Sequence, residues 1–319
     1  MDINLEPISE AVRKASFATQ LVQEQNLRAD KWSKEDETPV TVADLASQVI
    51  LLGAIAESFP DDEVFAEEGT ISLEDSERTA RVREILEEVL GHPISSGEIK
   101  DHISYRGITD AQGRWFVDPL DGTKGFVKNL IYAVAIARTV KGQLDKSWLA
   151  VPCREELFPG IAGMLFRAEK GKGSYKSSIS GKTDEQKLVM DVSGSGSDGE
   201  VTVVVSRAHD NSKGPGRLTK GGMKTNHLAL DSQAKYAALV TGSAQLYPRR
   251  HSTSFGANFC WDHAPGALLL EETGGIITDL TGRPLDYAKG ERLSANHGIL
   301  AATDKKIHEK ALNILRVDQ

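Results

Sequence analysis

The sequence predicts an α/β or α+β protein whose helices and strands pack in layers. Apolar runs typical of strands alternate with amphipathic segments typical of helices in both halves of the chain, and this order is characteristic of layered folds. The chain has 319 residues, which is enough for one large or two medium-sized domains with a buried core. Hydrophobic residues make up 39% and charged residues 26% of it, as expected for a water-soluble globular protein.

The first half begins with an amphipathic helix over residues 8–27, followed by a polar loop. The stretch "TVADLASQVILLGAIAESF" predicts a second helix that ends near Phe59, because Pro60 and two aspartates follow it. A short strand, "EVFAEEG", precedes a third helix that is closed by Gly91. We expect "GRWFVDPLDGT" to form a strand and a turn, and the apolar segments on both sides of "KGQ" to form strands in the middle of a sheet.

We predict a domain boundary near residue 150, with a first domain over residues 1–149 and a second over residues 150–319. In the second half, "GMLFRAEKGKGSYKS" indicates a hairpin, "DVSGSGSDGE" an exposed loop and "VTVVVSRAHD" a buried strand. "SQAKYAALVTG", "CWDHAPGALLLEETGG" and "TDKKIHEKALNILRV" predict helices, and "IITDLTGRPLDY" a strand followed by a turn.

Charge and cysteine content narrow the function. The formal net charge is −8, which argues against a general binder of nucleic acids or anionic membranes. Cys153 and Cys260 lie far apart and provide neither a disulfide framework nor a zinc pattern, so we predict a reducing, cytoplasmic location. The N-terminal residues contain acids and no long apolar stretch, and no segment reaches transmembrane length.

Two aspartates, Asp118 and Asp121, follow the apolar run "WFV" and flank Pro119 and Leu120. Asp-Pro and Asp-Gly are common turn dipeptides, so an ordinary turn is one interpretation. Two carboxylates in a half-buried place cannot both stay ionised without a large cost, however, and a hard cation such as Mg²⁺ resolves this conflict. Because Pro119 restricts the backbone, both carboxylates and the Leu120 carbonyl are able to face one ion.

Gly122 and Thr123 come next, and their main-chain N–H groups at the start of a helix would suit a phosphate. A metal beside a phosphate cradle predicts metal-assisted hydrolysis of a phosphoester. Further acids stand beside turns or after apolar runs, and each of them taken singly is also explained as a surface acid or a helix cap: Asp44, Glu67, Glu68 and Asp262.

Three motifs in this order resemble those of the lithium-sensitive, Mg²⁺-dependent phosphatases of the inositol monophosphatase superfamily: "FAEEG", "DPLDGT" and "WDHAPGALLLEETGG". The strings "TPVTVADLASQ", "DPLDGTKGF", "LDSQAKYAALVTG" and "SRAH" are most similar to one branch, the 3′(2′),5′-bisphosphate nucleotidases. The resemblance covers nearly the whole chain. It implies a layered α/β/α/β/α sandwich of the inositol monophosphatase and fructose-1,6-bisphosphatase type, with the metals between two halves.

The resemblance also implies roles for individual residues. Two or three Mg²⁺ ions would be bound by Glu67, Asp118, the Leu120 carbonyl, Asp121 and Asp262. Glu68 would lie beside these ligands as an outer acid. Asp44 would pair with Thr123 to orient and deprotonate the attacking water, while Gly122 and Thr123 would hold the scissile phosphate. The 5′-phosphate part of a nucleotide would be bound by His209, Ser232, Lys235 and Arg249.

The chain departs from the branch pattern near the second phosphate. Arg249 follows Pro248 and precedes a second arginine, Arg250, so either arginine is a candidate ligand. His209 is alternatively a histidine that is hydrogen-bonded at a strand end, and Lys235 a solvated helical lysine. Pro265 replaces the usual alanine, and it falls in the first helical turn, where proline is tolerated, if Asp262 caps that helix.

We therefore predict a Mg²⁺-dependent phosphatase that removes the 3′-phosphate of 3′-phosphoadenosine 5′-phosphate, and also acts on 3′-phosphoadenosine 5′-phosphosulfate. Its partner would be this small phosphorylated nucleotide, without nucleic acid or membrane, and the protein would be a monomer. The resemblance also implies inhibition by Li⁺. Two alternatives stay open: a phosphatase of the same superfamily that acts on inositol phosphates or another small phosphoester, and a non-catalytic nucleotide-binding protein.

Overall fold

The computed structural model describes residues 5–25, 31–33, 39–69, 76–153, 160–190, 199–206, 213–250 and 258–316. His209, a predicted nucleotide ligand, and most of the predicted loop "DVSGSGSDGE" lie outside the described residues.

The helices of these stretches agree with every predicted helix and add others that the sequence pattern had not indicated. In chain order they are α1 (Glu6–Glu24), α2 (Val42–Ser58), α3 (Ser76–Leu90), α4 (Ser96–Ser104), α5 (Thr123–Val127), α6 (Lys213–Lys220), α7 (Ala234–Val240), α8 (Ala264–Glu272) and α9 (Lys305–Leu315).

Although six strands follow one another between α5 and α6, the strands alternate with these helices as predicted in other parts of the described chain. They are β1 (Lys31–Ser33), β2 (Pro39–Thr41), β3 (Glu63–Ala66), β4 (Gly113–Asp121), β5 (Ala133–Val140), β6 (Gln143–Val151), β7 (Met164–Glu169), β8 (Gly173–Ser178), β9 (Gln186–Lys187), β10 (Val201–Val205), β11 (Thr225–Ala229), β12 (Leu246–Arg249), β13 (Ile276–Thr278) and β14 (Ile299–Ala302).

Two large sheets organise the described part of the chain. A seven-stranded sheet has the order β3-β4-β5-β6-β7-β8-β9, in which only β3 and β4 run parallel. A five-stranded sheet has the order β11-β10-β12-β14-β13, with β10 parallel to both of its neighbours. Because β3 and β4 are parallel, their carboxyl ends lie at one edge, and this edge carries Glu67 and Asp118.

Helices cover both sheets and produce five layers. On one side of the seven-stranded sheet, α1 contacts β5 and β6 while α2 contacts β4. Between the sheets, α8 packs on β5 to β8 and also contacts β13, and α7 joins α8 to β12. Beyond the five-stranded sheet, α6 and α9 pack on each other and on its strands. The predicted α/β/α/β/α sandwich is therefore confirmed.

The apolar sequence of α2 fits its central place in the outer layer. Contacts with α1, α3, α4 and β4 surround this helix, and its Val42, Leu45 and Leu52 side chains are fully buried. A helix that is buried on nearly all sides carries few charges. Polar side chains on α2 are therefore conspicuous, and three of them, Asp44, Ser47 and Gln48, are also buried.

The two sheets divide the chain later than residue 150. The predicted boundary falls inside β6, and the predicted hairpin, now β7 and β8, extends the first sheet rather than starting the second. The strands of the first sheet continue to Lys187, and those of the second begin at Val201. The division into two folding units stays a prediction. No helix among the described residues combines the length and apolar character needed to cross a membrane.

Candidate active site

The "DPLDGT" motif forms a bulge at the end of β4. Asp118 pairs with Ala135 and Asp121 with Ala133, so two residues of β4 lie opposite one residue of β5. The sequence prediction of a strand followed by a turn is corrected here, since β4 continues through Pro119 to Asp121. Pro119 has no N–H to donate to the ladder, and a bulge accommodates this defect. The bulge thus lies between two carboxylates that are three residues apart on one strand.

Hydrogen bonds hold this bulge against α2. The Ser47 hydroxyl donates to the Pro119 carbonyl oxygen at 2.7 Å, and the Leu120 main-chain N–H donates to Asp118 Oδ1 at 3.2 Å. Asp118 is buried, with 1% of its surface exposed. The first acid of the motif is therefore held by its own backbone and by a helix from the outer layer.

Asp44 lies at the N-terminus of α2, where it forms a capping box with Thr41. Its Oδ2 accepts hydrogen bonds from the Thr41 main-chain N–H at 2.8 Å and from the Thr41 hydroxyl at 2.5 Å. Its Oδ1 accepts from the Thr123 hydroxyl at 3.1 Å. The Thr123 hydroxyl also lies 3.2 Å from the Leu120 carbonyl oxygen. The structure thus brings together the predicted pair of Asp44 and Thr123, seventy-nine residues apart.

The two glutamates follow β3 at the same edge of the sheet. The Glu67 main-chain N–H donates to the Val117 carbonyl oxygen at 3.0 Å, which continues the pairing with β4. Glu68 is buried, and its main chain is held on both sides by the Gln48 side chain, which donates to Glu68 O at 2.9 Å and accepts from Glu68 N at 3.0 Å. Arg106 also donates to Glu68 O at 2.8 Å.

Gly122 makes the sharp step from β4 into α5. It is the N-cap of α5 with φ of +96°, a left-handed conformation that disfavours other residues. A Cβ atom at this position would lie 3.2 Å from the Ser232 side chain. Gly122 therefore allows the residues before α7 to approach the end of the motif, and its own N–H and that of Thr123 begin a helix without intrahelical partners.

Asp262 lies two residues before the first residue of α8. The N-cap of this helix is His263 rather than Asp262, and Pro265 lies in the first turn, where its missing N–H costs little. The His263 Nδ1 atom lies 2.8 Å from the Tyr236 hydroxyl of α7. Gly266 permits this contact between helices, because a Cβ there would lie 2.1 Å from the Tyr236 ring.

The acids at this edge raise one another's pKa. Burial raises the pKa of Asp118 well above its ordinary value, and the charges of Glu67, Asp121 and Asp262 raise it further. Burial raises the pKa of Asp262 to about 7, with Arg249 opposing the shift and Asp121 adding to it. The pKa of Asp121 is also raised by burial, although Lys235 lowers it.

Two predicted nucleotide ligands contribute positive charge beside these acids. The Arg249 guanidinium lies 3.9 Å from the Asp262 carboxylate, and its charge also acts on Asp121. Lys235 is buried, with its Nζ 5.5 Å above the centre of the Tyr247 ring. Arg250 is exposed. Of the two arginines that the sequence left as alternatives, Arg249 is thus the one beside the acids.

Ser232 occupies the turn before α7. Its φ of +58° is unusual for a residue with a side chain, and its hydroxyl accepts a hydrogen bond from the Ala234 main-chain N–H at 3.2 Å. The structure therefore brings Ser232, Lys235 and Arg249 to the acidic edge. His209, the fourth predicted nucleotide ligand, lies outside the described residues.

The donor set suits a hard cation. One buried carboxylate, three half-buried ones and a main-chain carbonyl are ligands of the kind that Mg²⁺ prefers, and a cation would relieve the mutual repulsion that raises the pKa of these acids. Within the described ranges, no three acid, histidine or cysteine side chains already converge in the arrangement of a metal site. Asp262 is instead paired with Arg249, and Asp121 with the main chain of Gln233.

The sequence analysis assigned no role to three residues that support this edge: Ser47, Gln48 and Gln233. A signal existed for the first two, since they follow Asp44 by three and four residues and therefore lie on the same face of α2. Gln233 offered no such signal, because its partners lie in distant parts of the chain.

Comparisons with known proteins agree with this geometry. Residues 4–317 match the inositol monophosphatase family. The 3′(2′),5′-bisphosphate nucleotidase of Schizosaccharomyces pombe is 32% identical over 95% of this chain and 92% of the yeast protein. A probable 3′(2′),5′-bisphosphate nucleotidase 4 of Arabidopsis thaliana is 32% identical over 96% and 92% of the two chains. The solved structure of the extragenic suppressor protein suhB from Bartonella henselae has a TM-score of 0.67 at 17% identity, with 100% of both chains covered.

The layered fold and these relatives define the class of this protein, which is a hydrolase. The chain belongs to the inositol monophosphatase family, because the family match extends over residues 4–317. Proteins of this family depend on metal ions, typically Mg²⁺. The resemblance to the bisphosphate nucleotidases is confirmed by the named relatives from several species, whereas the roles of the individual site residues stay predictions.

Proposed function

We propose that this protein is a Mg²⁺-dependent phosphomonoesterase that removes the 3′-phosphate of 3′-phosphoadenosine 5′-phosphate, and that it also acts on 3′-phosphoadenosine 5′-phosphosulfate. The observation that carries the proposal is the placement of Lys235 and Arg249 beside the carboxylates of Asp121 and Asp262. A substrate with a single phosphate needs no further cations, whereas the 5′-phosphate of a bisphosphonucleotide does. The names of the relatives support the same substrate.

The metal ligands that we propose are Glu67, Asp118, Asp121, Asp262 and the Leu120 carbonyl, which would hold two or three Mg²⁺ ions, with Glu68 beside them. Bound Mg²⁺ would neutralise charge on the phosphoryl oxygens and lower the pKa of the attacking water. The N–H groups of Gly122 and Thr123 would hold the scissile phosphate, since they begin a helix.

Asp44 and Thr123 would orient and deprotonate the water. The main-chain N–H and the hydroxyl of Thr41 both donate to Asp44 Oδ2, while Asp44 Oδ1 accepts the hydrogen of the Thr123 hydroxyl. The lone pairs of that hydroxyl then point away from Asp44 and are able to accept a hydrogen bond from the water. The water would give one proton, through the Thr123 hydroxyl, to Asp44 while its oxygen attacks phosphorus. The bond between phosphorus and the 3′-oxygen breaks, that oxygen takes up a proton from solvent, and AMP and phosphate are the products.

The substrate side would consist of His209, Ser232, Lys235 and Arg249. The Arg249 guanidinium lies 3.9 Å from the Asp262 carboxylate, so part of its orientation is set before any nucleotide binds. We further propose that the protein acts as a monomer in the cytoplasm on this small nucleotide, without nucleic acid or membrane.

Phosphate release from different esters tests the proposal. The protein is treated with a chelator, supplied with Mg²⁺, and assayed with 3′-phosphoadenosine 5′-phosphate, its sulfated form and inositol phosphates. We expect kcat/KM for the bisphosphonucleotide to exceed that for inositol phosphates by at least about tenfold, because each good ionic contact contributes that much. Equal or faster release from inositol phosphates would overturn the substrate, and binding of nucleotide without any release would favour a non-catalytic protein.

A further inference from the structure

Gln233 connects the two motifs that carry the acids. Its main-chain N–H donates to Asp121 Oδ2 at 2.5 Å, and its side-chain Nε2 donates to the Trp261 carbonyl oxygen at 2.9 Å. Asp121 ends β4 in the seven-stranded sheet, whereas Trp261 immediately precedes Asp262. Gln233 therefore holds both the carboxylate of Asp121 and the backbone directly before Asp262.

Gln233 is itself firmly held. Only 1% of its surface is exposed, and the positive φ of Ser232 turns the chain directly before it. Its carbonyl oxygen accepts from the Tyr236 main-chain N–H at 2.9 Å, which anchors it to the start of α7. A residue with this support transmits its own position to its partners instead of adapting to them.

The chemistry at each end requires a donor. Asp121 is an acid that accepts, so a main-chain N–H suits it whatever the side chain. The Trp261 carbonyl oxygen also only accepts, so the NH₂ group of the amide must face it, and this sets the orientation of the Gln233 side chain. An apolar side chain of similar length would keep the first bond and lose the second.

We propose that Gln233 is a positioning residue that sets the separation between the Asp121 and Asp262 carboxylates. The inference rests on the proposed function, in which both carboxylates are Mg²⁺ ligands. Groups that orient metal ligands from outside typically change metal affinity or activity by about 10–100-fold when they are removed. A role in stability alone would lower the unfolding temperature without this change in metal affinity.

Two substitutions remove the side-chain bond. Gln233→Met keeps the length of the side chain and loses the donor, whereas Gln233→Asn keeps the amide but is one methylene too short to reach Trp261. Gln245 provides the matched control, because it is also a buried glutamine that bridges main-chain groups. It accepts from the Thr202 N–H at 2.8 Å and donates to the Gly242 carbonyl oxygen at 3.2 Å, among the strands of the other sheet.

The measurement is a Mg²⁺ titration with two readouts. One is the rise in Tm with Mg²⁺ concentration, which reports metal binding without turnover. The other is the Mg²⁺ concentration for half-maximal kcat with the bisphosphonucleotide. We expect both midpoints to rise by about 10–100-fold in Gln233→Met and Gln233→Asn. Gln245→Met and Gln245→Asn should lower the metal-free Tm but leave both midpoints unchanged.

The other outcomes distinguish failure of this inference from failure of the proposed function. Unchanged midpoints in either Gln233 variant, or equal shifts in the Gln245 variants, would show that Gln233 acts on stability alone. If Gln233→Met does not fold, the asparagine variant decides. A parent protein that binds Mg²⁺ but does not hydrolyse the nucleotide overturns the substrate only, and the Tm titration still tests Gln233. A parent protein whose Tm does not respond to Mg²⁺ overturns this inference together with the metal assignment.

Discussion

The acidic and the basic sides of the candidate site are built differently. Asp44, Asp118 and Thr123 are held by backbone groups, caps and a bulge that lie within a few residues or in directly adjacent elements. On the basic side, Lys235 lies over the Tyr247 ring and Arg249 contacts Asp262, so side chains from separate elements set each other's position. Much of the acidic side is formed within short motifs, although the bonds of Thr123 to Asp44 and of Gln233 to Asp121 join distant parts of the chain. The basic side depends throughout on how the layers pack.

The two sides also differ in their proposed roles, since one would carry out the reaction and the other would recognise the substrate. The acidic side contains the groups that we propose for metal binding and for the water, and these groups belong to short sequence motifs. The basic side contains the groups that we propose for the second phosphate, and one of them, His209, lies outside the described residues. We therefore expect substitutions on the acidic side to lower kcat and those on the basic side to raise KM.

Asp121→Asn should have the largest effect. Asparagine keeps the shape and an acceptor for the Gln233 N–H, but it removes the negative charge that a Mg²⁺ ligand supplies. We expect kcat/KM for the bisphosphonucleotide to fall by about 10³-fold or more, which corresponds to several kcal/mol of lost charge stabilisation. Phosphate release and a Mg²⁺ titration measure it. Asp110→Asn, at an exposed acid, is the control, and unchanged activity in Asp121→Asn would refute the metal assignment.

Thr123→Val should have the next largest effect. Valine has the same shape but cannot donate to Asp44 Oδ1, which the hydroxyl reaches at 3.1 Å. We expect kcat to fall by about 10²–10³-fold with KM nearly unchanged, because general-base assistance contributes this much. Thr123→Ser restores the hydroxyl and should recover most of the activity. A serine variant as slow as the valine variant would show that packing, not the hydroxyl, matters at this position.

Substitutions on the basic side should act on KM. Lys235→Met and Arg249→Met each remove one charge that we propose for the 5′-phosphate, so we expect KM for the bisphosphonucleotide to rise by about 10–100-fold. Slow turnover of inositol phosphates should change little. Arg250→Met is the matched control, because Arg250 is exposed beside Arg249. A larger effect of Arg250→Met would reverse our assignment of the two arginines.

The sequence predicted the site in proportion to how local its parts are. "TVADL" contains both members of the capping box, Thr41 and Asp44. "DPLDGT" contains Thr123, the other partner of Asp44, together with the bulge beside Asp118. The bulge itself was predicted only as a turn, since a strand with proline usually ends. Gln233 was not predicted, because its two bonds join residues 112 and 28 positions away. Choosing between Arg249 and Arg250 likewise required the position of β12 beside Asp262, which lies far along the chain in a separate motif.

The elements of the fold were likewise predicted best where their sequence signal is local. Helices with a clear apolar face, such as α1 and α9, were predicted within a few residues. Short elements such as α4, β12 and β14 were not, because they are too short for a period to show and are stabilised by their neighbours in space. The predicted domain boundary near residue 150 falls before the β7 and β8 hairpin, because the hairpin pattern does not reveal which sheet it extends.

Asp279 allows a sharper comparison between buried acids. It is fully buried in the half that contains the five-stranded sheet, yet its pKa is lowered, whereas the pKa values of Asp118, Asp121 and Asp262 are raised. Burial alone would raise its pKa, but hydrogen bonds from the Thr281 hydroxyl and from the main-chain N–H groups of Arg283, His297 and Thr281 hold the pKa below its ordinary value. Satisfied by donors, this acid is stable as a carboxylate without a cation.

The pH dependence of stability tests this contrast with the smallest expected effect. Because its pKa is lower in the folded than in the unfolded state, Asp279 stabilises the fold above its ordinary pKa of about 3.9, and this contribution is lost as the pH falls through the lowered folded value. Asp279→Asn should therefore reduce the free energy of unfolding at pH 7 by about 1–3 kcal/mol, and the difference from the parent should shrink towards pH 3. Denaturant unfolding at both pH values measures it, with Asp110→Asn as control. A difference that grows on acidification would mean that Asp279 is protonated in the folded protein, and its hydrogen bonds would then resemble those of a neutral acid rather than of a carboxylate.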